Sequence, residues 1–261
     1  IDDTGGIAGR AKSTTRSIYK EASSCLDDSD RKRLSDWARK SEDRAAMSAM
    51  IDLARSEAGI PILPDQLDTH PWLLNCPNGT LDLRTGELGP HRQADYITQI
   101  LPVAYNPEAK APRWEQFLAE VFLDNQDLIG FVQRLCGYFL TGSTQDHVLP
   151  IFWGKGANGK TTLVETLFSV MGSDYSMKGT HDFLMAKQGG HPTDKADLFG
   201  KRLAGCVESA EDRKLDESFV KELTGGDTLR ARRMREDFWQ FTATHKVLLA
   251  TNSKPQITGT N

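Results

Sequence analysis

The 261 residues contain no apolar run approaching the length of a bilayer span, and no signal-peptide pattern opens the chain. A membrane-spanning channel and a secretory precursor are therefore not expected, and the sequence reads as a cytoplasmic protein with no membrane partner. Cysteine is scarce. Cys25, Cys76, Cys136 and Cys206 lie far apart and form no Cys-x-x-Cys pair. A zinc site or disulfide framework is not expected, and reduced thiols in a cytosol-like compartment are. Excess positive charge is also missing: Lys and Arg number 32 against 36 Asp and Glu, a net charge of −4. That balance excludes a uniformly basic coat for nucleic acid, so any such surface must be local. No internal repeat and no low-complexity tract is present. A hydrophobic content of 38% and a charged content of 26% suit a globular chain of one large domain or two ordinary ones. The sequence begins with Ile1 and shows no closing element before Asn261, so it reads as a piece of a longer protein.

What the chain does have is a complete phosphate-binding loop. Gly154, Lys155, Gly156, Ala157, Asn158, Gly159, Lys160 and Thr161 follow the form G-x-x-x-x-G-K-[ST]. At average composition a chance match in a chain of this length has a probability on the order of one per cent. Gly154, Gly156 and Gly159 would let the backbone turn tightly and point its N–H groups at phosphate oxygens. Lys160 would reach the β- and γ-phosphates, and the Thr161 hydroxyl would ligate Mg²⁺, with Thr162 beside it. The flanks agree. Val148 to Trp153 is a short apolar run of buried-strand type, and Leu163, Val164, Leu167, Phe168 and Met171 recur at helical spacing up to a stop at Gly172. Strand, loop and helix come in the order that sets a helix N-terminus against the phosphates. ATP with Mg²⁺ is the expected cofactor pair.

Three segments are expected: 1–64 as a helical N-terminal or linker segment, 65–145 as an α+β domain, and 146–261 as an α/β nucleotide-binding core. Residues 1–28 are polar with weak helical character. Residues 29–57 read as an amphipathic helix or helix pair with Leu34, Trp37, Met47, Met50, Ile51 and Ala54 on its apolar side, and Arg31, Lys32, Arg33, Arg39 and Lys40 on a solvated face. Pro77, Asn78 and Gly79 mark a turn between two strands, Trp72–Cys76 and Thr80–Arg84. Tyr96 to Val103 is another strand candidate. Trp114, Phe117, Leu118, Val121 and Phe122 form one helical stripe, and Leu128, Phe131, Val132, Leu135 and Phe139 a second that ends at Gly142. Residues 173–197 are polar and loop-rich. Arg202–Val207 and Lys246–Thr251 are buried-strand candidates. Leu215–Leu223 is a helix candidate, and 227–241 a hairpin or extended arm.

An NTPase also needs an acid near the metal and a polar group for the attacking water. Glu208 ends the apolar strand at 202–207, the position where ligands sit in open α/β sheets, and is the candidate acid, linked to Mg²⁺ directly or through water. Glu211 and Asp212 are close behind. Asn252 ends the strand at 246–251 and is the candidate sensor. It could equally be a turn-forming Asn before Ser253, Lys254 and Pro255. Arg230, Arg232, Arg233 and Arg235 crowd four guanidinium groups into six residues, the sharpest positive charge in an acidic chain. Such a patch suits a phosphate backbone, though a solvated or subunit-pairing surface would share the pattern. Trp239 could stack on a base or simply pack.

Together these motifs resemble the superfamily 3 helicases, in the primase–helicase branch carried by phages, plasmids and large DNA viruses. The resemblance rests on the Asn-Gly-Lys form of the loop and on the strand ending at Glu208. It also rests on Val220-Lys221-Glu222-Leu223-Thr224-Gly225-Gly226-Asp227 followed by Ala231-Arg232, and on Leu248 to Pro255. Upstream, Leu73 to Leu83, Pro90-His91 and Gly137 to Gly142 resemble the domain that precedes the helicase. The resemblance implies an AAA+-like P-loop ATPase core, three-layered with a mostly parallel sheet, preceded by a mixed α+β, mainly helical domain. It implies a ring, usually a hexamer, moving on single-stranded DNA, with a primase domain in the same parent chain. Lys160 and Thr161 would bind phosphate and metal, Glu208 would be the Walker B acid and Asn252 the sensor. Lys221 and the arm carrying Arg230, Arg232, Arg233 and Arg235 would face DNA. The family's arginine finger would lie beyond Asn261, so these 261 residues are expected to bind ATP and hydrolyse it poorly. A P-loop switch or loader without unwinding activity shares every motif. A small-molecule kinase would want arginines in 173–197, where only Lys178, Lys187 and Lys195 are found, and a GTPase would want an Asn-Lys-x-Asp motif that residues 252–255 do not supply.

Overall fold

The computed structural model describes residues 5–186, 193–207, 214–233 and 235–257. The chain divides into two compact units between Gln66 and Leu67.

The first unit holds three helices, α1 (Gly6–Ser23), α2 (Asp28–Ser41) and α3 (Arg44–Ala54). Asp27 and Asp43 start α2 and α3 by accepting the N–H groups of Asp30 and Ala45, satisfying donors that have no partner inside the helix. Residues 6–23 form far more helix than the polarity of that stretch suggests. The reason is a stripe of mostly small residues: Ala11, Thr15, Ile18 and Ala22 are buried at intervals of three and four, and Ala38 faces inward from α2. The expected apolar side of 29–57 does not form a core. Trp37 is 56% exposed and α3 buries no residue. The charged face behaves as expected, with Arg31, Arg33 and Arg39 paired to Asp28, Asp30 and Asp36 one turn away.

The second unit opens with an antiparallel meander, β1 (Leu73–Cys76), β2 (Gly79–Asp82) and β3 (Glu87–Gly89). Gly79 makes the first turn at φ 151°, where an added Cβ would stand 2.4 Å from the Gly89 carbonyl. The segment 96–103 is not a strand, contrary to the expectation. Its N–H groups are divided among unlike acceptors rather than a ladder: Thr98 donates to the Asp68 carboxylate, Ile100 to the Asp174 carboxylate and Leu101 to the Asn75 carbonyl, and Pro102 has no N–H to give. Helices α4 (Pro112–Val121) and α5 (Gln126–Leu140) follow.

Next comes a parallel sheet of β4 (Ile151–Trp153), β5 (Ser176–Lys178), β6 (Leu203–Val207) and β9 (Lys246–Thr251), in the order β4-β9-β6-β5. Strand β5 falls in the stretch read as loop. Its three residues, Ser176, Met177 and Lys178, make an edge strand too short and polar to leave a pattern. The remaining elements are α6 (Lys160–Tyr175), α7 (Thr193–Ala196), α8 (Glu217–Thr224) and the hairpin β7 (Thr228–Ala231) with β8 (Trp239–Thr242). Gly172, at φ 64° and ψ 178°, breaks α6 where the sequence placed its stop.

Both faces of the sheet are covered, which explains why β6 and β9 read as continuous apolar runs. On one face Ala204, Cys206, Val247 and Leu249 pack with Phe183, Leu184, Leu198, Leu223, Leu229 and Phe241. On the other, Leu203, Leu248 and Ala250 pack with Val164, Phe168, Met171, Leu135, Phe139 and Leu74. The expected boundary near residue 145 thus falls inside one unit: the meander and α5 share a core with the sheet.

At the sheet's N-terminal edge three basic residues are buried. Arg202 donates to the carbonyls of Leu140, Leu73 and His70 at 2.6, 2.5 and 3.3 Å and lies over the Tyr175 ring. Lys246 donates to the Thr141 carbonyl and lies 4.9 Å from the Tyr138 ring centroid. His245 has no hydrogen-bond partner on either ring nitrogen among the described residues. Burial, with Arg202 adding repulsion, pushes Lys246 down to about 6. Burial, with Lys246 adding repulsion, pushes His245 down to about 4. Both groups bind protons more weakly folded than unfolded, so stability rises with pH: from about 6 upward through Lys246 and from about 4 to 6.5 through His245. Lys246→Met should flatten the first of these. The pH slope of the unfolding free energy above pH 6.5 should drop by up to about 1.4 kcal/mol per pH unit, read from urea melts at several pH values.

Candidate functional site

The phosphate-type loop spans the C-terminal end of β4 and the start of α6. Its first residue is tied to the neighbouring strand, with the Gly154 N–H donating to the Thr251 carbonyl at 3.3 Å. Lys160 folds back into the loop, donating to the Gly154 carbonyl at 2.5 Å, the Asn158 side-chain oxygen at 2.8 Å and the Lys155 carbonyl at 3.2 Å. The loop thus gathers an ammonium and a helix N-terminus at one place, which is the donor chemistry that phosphate oxygens need. Thr161 and Thr162 are exposed in the first turn of α6.

The glycines do not share one role. Gly159 has φ 84°, and an added Cβ would stand 2.5 Å from Val121 and 3.2 Å from Phe117, both on α4. At Gly154 an added Cβ would stand 2.2 Å from the Asn158 side-chain amide, which would have to move aside. Gly156 has neither a left-handed backbone nor a neighbour within 4 Å. The other left-handed residue of the loop is Ala157, at φ 60°. Of the three glycines, Gly159 is the one whose backbone is left-handed.

Strand β9 ends beside the loop, with Thr251 opposite Trp153 in register. Asn252 follows at once and is exposed. A short turn fixes what comes after: the Thr251 hydroxyl donates to the Ser253 carbonyl and accepts the Ser253 N–H. Lys254 lies 4.3 Å from the Trp153 ring centroid, closing the segment over the end of β4. Glu208, with Glu211 and Asp212, lies outside the described residues. Strand β6 brings the chain as far as Val207, opposite Ala250 at the same sheet edge. It is not the strand beside the loop, because β9 lies between β4 and β6. Sequence reasoning passed over His181, whose Nδ1 is 3.0 Å from the Val207 carbonyl. A lone exposed His in a polar stretch carries no signal of that proximity.

The basic arm is a hairpin. Arg230 and Arg232 lie over Phe238, with guanidinium carbons 4.3 and 4.8 Å from its ring centroid. Arg233 and Arg235 are exposed beyond β7, and Lys221 is exposed on α8. Trp239 is a packing residue: its ring is 4.9 Å from Phe199 and 5.0 Å from Phe241.

Comparison with known proteins agrees with the sequence resemblance. Residues 1–123 match the family described as D5 N terminal like, and residues 152–261 match a family of unknown function, DUF5906. The provisionally named helicase 184R of Invertebrate iridescent virus 6 is 26% identical over 98% of this chain, and the provisionally named primase C962R of African swine fever virus (isolate Tick/Malawi/Lil 20-1/1983) is 26% identical over 71% of it. The chain is similar to proteins of large DNA viruses that carry provisional helicase and primase names. It spans 27% of the length of the first and 20% of the second. Among solved structures, an apo form of the NrS-1 C-terminal region is similar with 19% identity and a TM-score of 0.46, over 56% of this chain and 35% of that one.

The unequal glycines separate fold from ligand. Gly159→Ala should lower stability by about 2 kcal/mol, through its left-handed backbone and the overlap with Val121. Gly156→Ala should leave the melting temperature unchanged. Thermal unfolding of both variants checks this.

Proposed function

We propose that the chain is part of an ATP-dependent DNA helicase of the replicative primase–helicase kind, and that it uses ATP and Mg²⁺ to move on single-stranded DNA. The observation that carries this reading is the loop of residues 154–161 at the end of a parallel strand, with Asn252 ending the adjacent strand at the same edge. In this reading Lys160 turns from the loop's own oxygens to the β- and γ-phosphates, and backbone N–H groups of the loop hold the remaining oxygens. Thr161 offers its hydroxyl to the metal. Glu208, the first residue past β6, serves as the metal-linked or water-activating acid. Asn252 positions the lytic water through an uncharged amide, adding no negative charge beside the γ-phosphate. The bound nucleotide and metal supply the transferable phosphoryl group and its charge compensation. Lys221, Arg230, Arg232, Arg233 and Arg235 contact the phosphate backbone. A ring of such chains, a hexamer in the resemblance, would set these side chains around the strand, and a primase domain would belong to the same parent protein.

Lys160→Ala should weaken ATP binding at least about ten-fold, the cost of one charge-assisted contact, as measured with a fluorescent ATP analogue. In the full-length protein, single-stranded DNA should raise the ATPase rate of wild type and not of Lys160→Ala. A wild-type rate indifferent to DNA would overturn the helicase reading in favour of a P-loop switch or loader.

A further inference from the structure

The β7–β8 hairpin has two unlike faces. Leu229 and Ala231 are fully buried and Phe241 nearly so, while Thr228, Arg230, Gln240 and Thr242 alternate with them on the solvent side. Arg232 and Phe238 extend that outer face just past the last ladder pair, Ala231 with Trp239. Among the described residues Phe238 is the one large apolar side chain on this outer face, and it is 44% exposed. Burial does not explain its presence there, but the two guanidinium groups resting on its ring do.

An aromatic ring fixes a guanidinium differently from a carboxylate. It attracts the cation through its π face and leaves the positive charge uncancelled and the N–H edge free. Two arginines held on one ring are thus ordered in advance, with their full charge still available to an anion. Free arginines would have to surrender rotamer freedom on binding, whereas arginines already ordered surrender less. We propose that Phe238 is the positioning residue of a two-arginine phosphate clamp, holding Arg230 and Arg232 so that they engage neighbouring phosphates of a single strand together. This rests on the single-stranded DNA reading above and adds to it a residue that carries no charge.

The test is a titration of labelled oligothymidylate by fluorescence anisotropy over a salt series. It compares wild type, Phe238→Leu, Phe238→Tyr, the double variant Arg230→Gln/Arg232→Gln, and that double variant with Phe238→Leu added. Loss of the clamp should make the salt slope shallower by up to about 1.4, the share of two phosphates on a single strand, and weaken binding about ten-fold. Phe238→Leu should show that change and Phe238→Tyr, which keeps the ring, should stay within about two-fold of wild type. In the background without Arg230 and Arg232, Phe238→Leu should change nothing further. Weaker binding at an unchanged salt slope would mean that the ring stacks on a base, and would overturn the clamp. So would an equal loss in the background without the two arginines, or a leucine variant that binds like wild type. Thermal unfolding accompanies each variant, and Phe238→Met replaces the leucine variant if that one unfolds. Wild type showing no salt-dependent binding would bring down the DNA reading itself and the clamp with it, an outcome distinct from the failures of Phe238 alone.

Discussion

Strand β9 is paired on both sides and buried along its whole length, and the site and the frame both depend on that. Its pairing with β4 sets Thr251 opposite Trp153, and its pairing with β6 sets Ala250 opposite Val207. Three parallel strands therefore finish at one edge, and the loop of residues 154–159, Asn252 and the chain leading to Glu208 all leave from there. No other strand could do this. Were β6 beside β4, the loop would lose the Thr251 carbonyl that holds the Gly154 N–H. The side chains of β9 also divide between the two cores, Val247 and Leu249 to one and Leu248 and Ala250 to the other. A slip of one residue would exchange the two sets and break both layers at once.

The same strand begins at the opposite edge with Lys246, and there the frame is held by cations rather than by apolar contact. Arg202 and Lys246 donate to carbonyls at the end of α5 and before and within β1, and those closing α5 are groups that a helix end leaves without partners. Carbonyl oxygens satisfy the donors but do not cancel the charges, so the arrangement carries a desolvation cost that falls as Lys246 loses its proton. Its structural consequence is a link between the meander and the sheet that runs through polar geometry. A second link passes through α4, whose Phe117 and Val121 lie under Gly159. The segment that precedes the loop in sequence is thus in contact with the loop itself, and this is why 67–145 and 146–257 form one unit.

Elements whose physics is local were legible in the sequence. The loop, the helix after it with its break at Gly172, the strands at 203–207 and 246–251, and the hairpins at 73–82 and 228–242 all carry short-range signals: glycines, apolar runs, alternation. What could not be read depended on partners distant in the chain. Strand β5 exists only because β6 offers an edge. The segment 96–103 is apolar enough for a strand, yet Asp68 and Asp174 take the N–H groups of Thr98 and Ile100. Helix α1 buries small residues that contribute little to any hydrophobic pattern. Sheet order was hidden for the same reason, since nothing in the order of segments along the chain says that β9 stands between β4 and β6. At the site, residue types pointed to Lys160, Thr161 and Asn252. The unequal roles of Gly154, Gly156 and Gly159 needed coordinates.

An acidic chain is an unexpected place for the nucleic-acid surface proposed above, and screening resolves the tension. At physiological ionic strength the Debye length is about 8 Å, so a phosphate at the hairpin responds to charges within a side chain or two and hardly at all to the net −4 of the molecule. What counts is the local charge, with Arg230 and Arg232 exposed on the outer face and Arg233 and Arg235 exposed beyond β7. The inner face of the hairpin explains why they can be presented there. Leu229, Ala231 and Phe241 are anchored in the core, and Trp239 packs between Phe199 and Phe241. An exposed arginine on a mobile loop would spend much of its attraction on becoming ordered. On a strand whose alternate residues are buried, and with a ring beneath two of the four, the ordering is already supplied by the fold. The local charge can then act on a phosphate chain without the rest of the protein being basic.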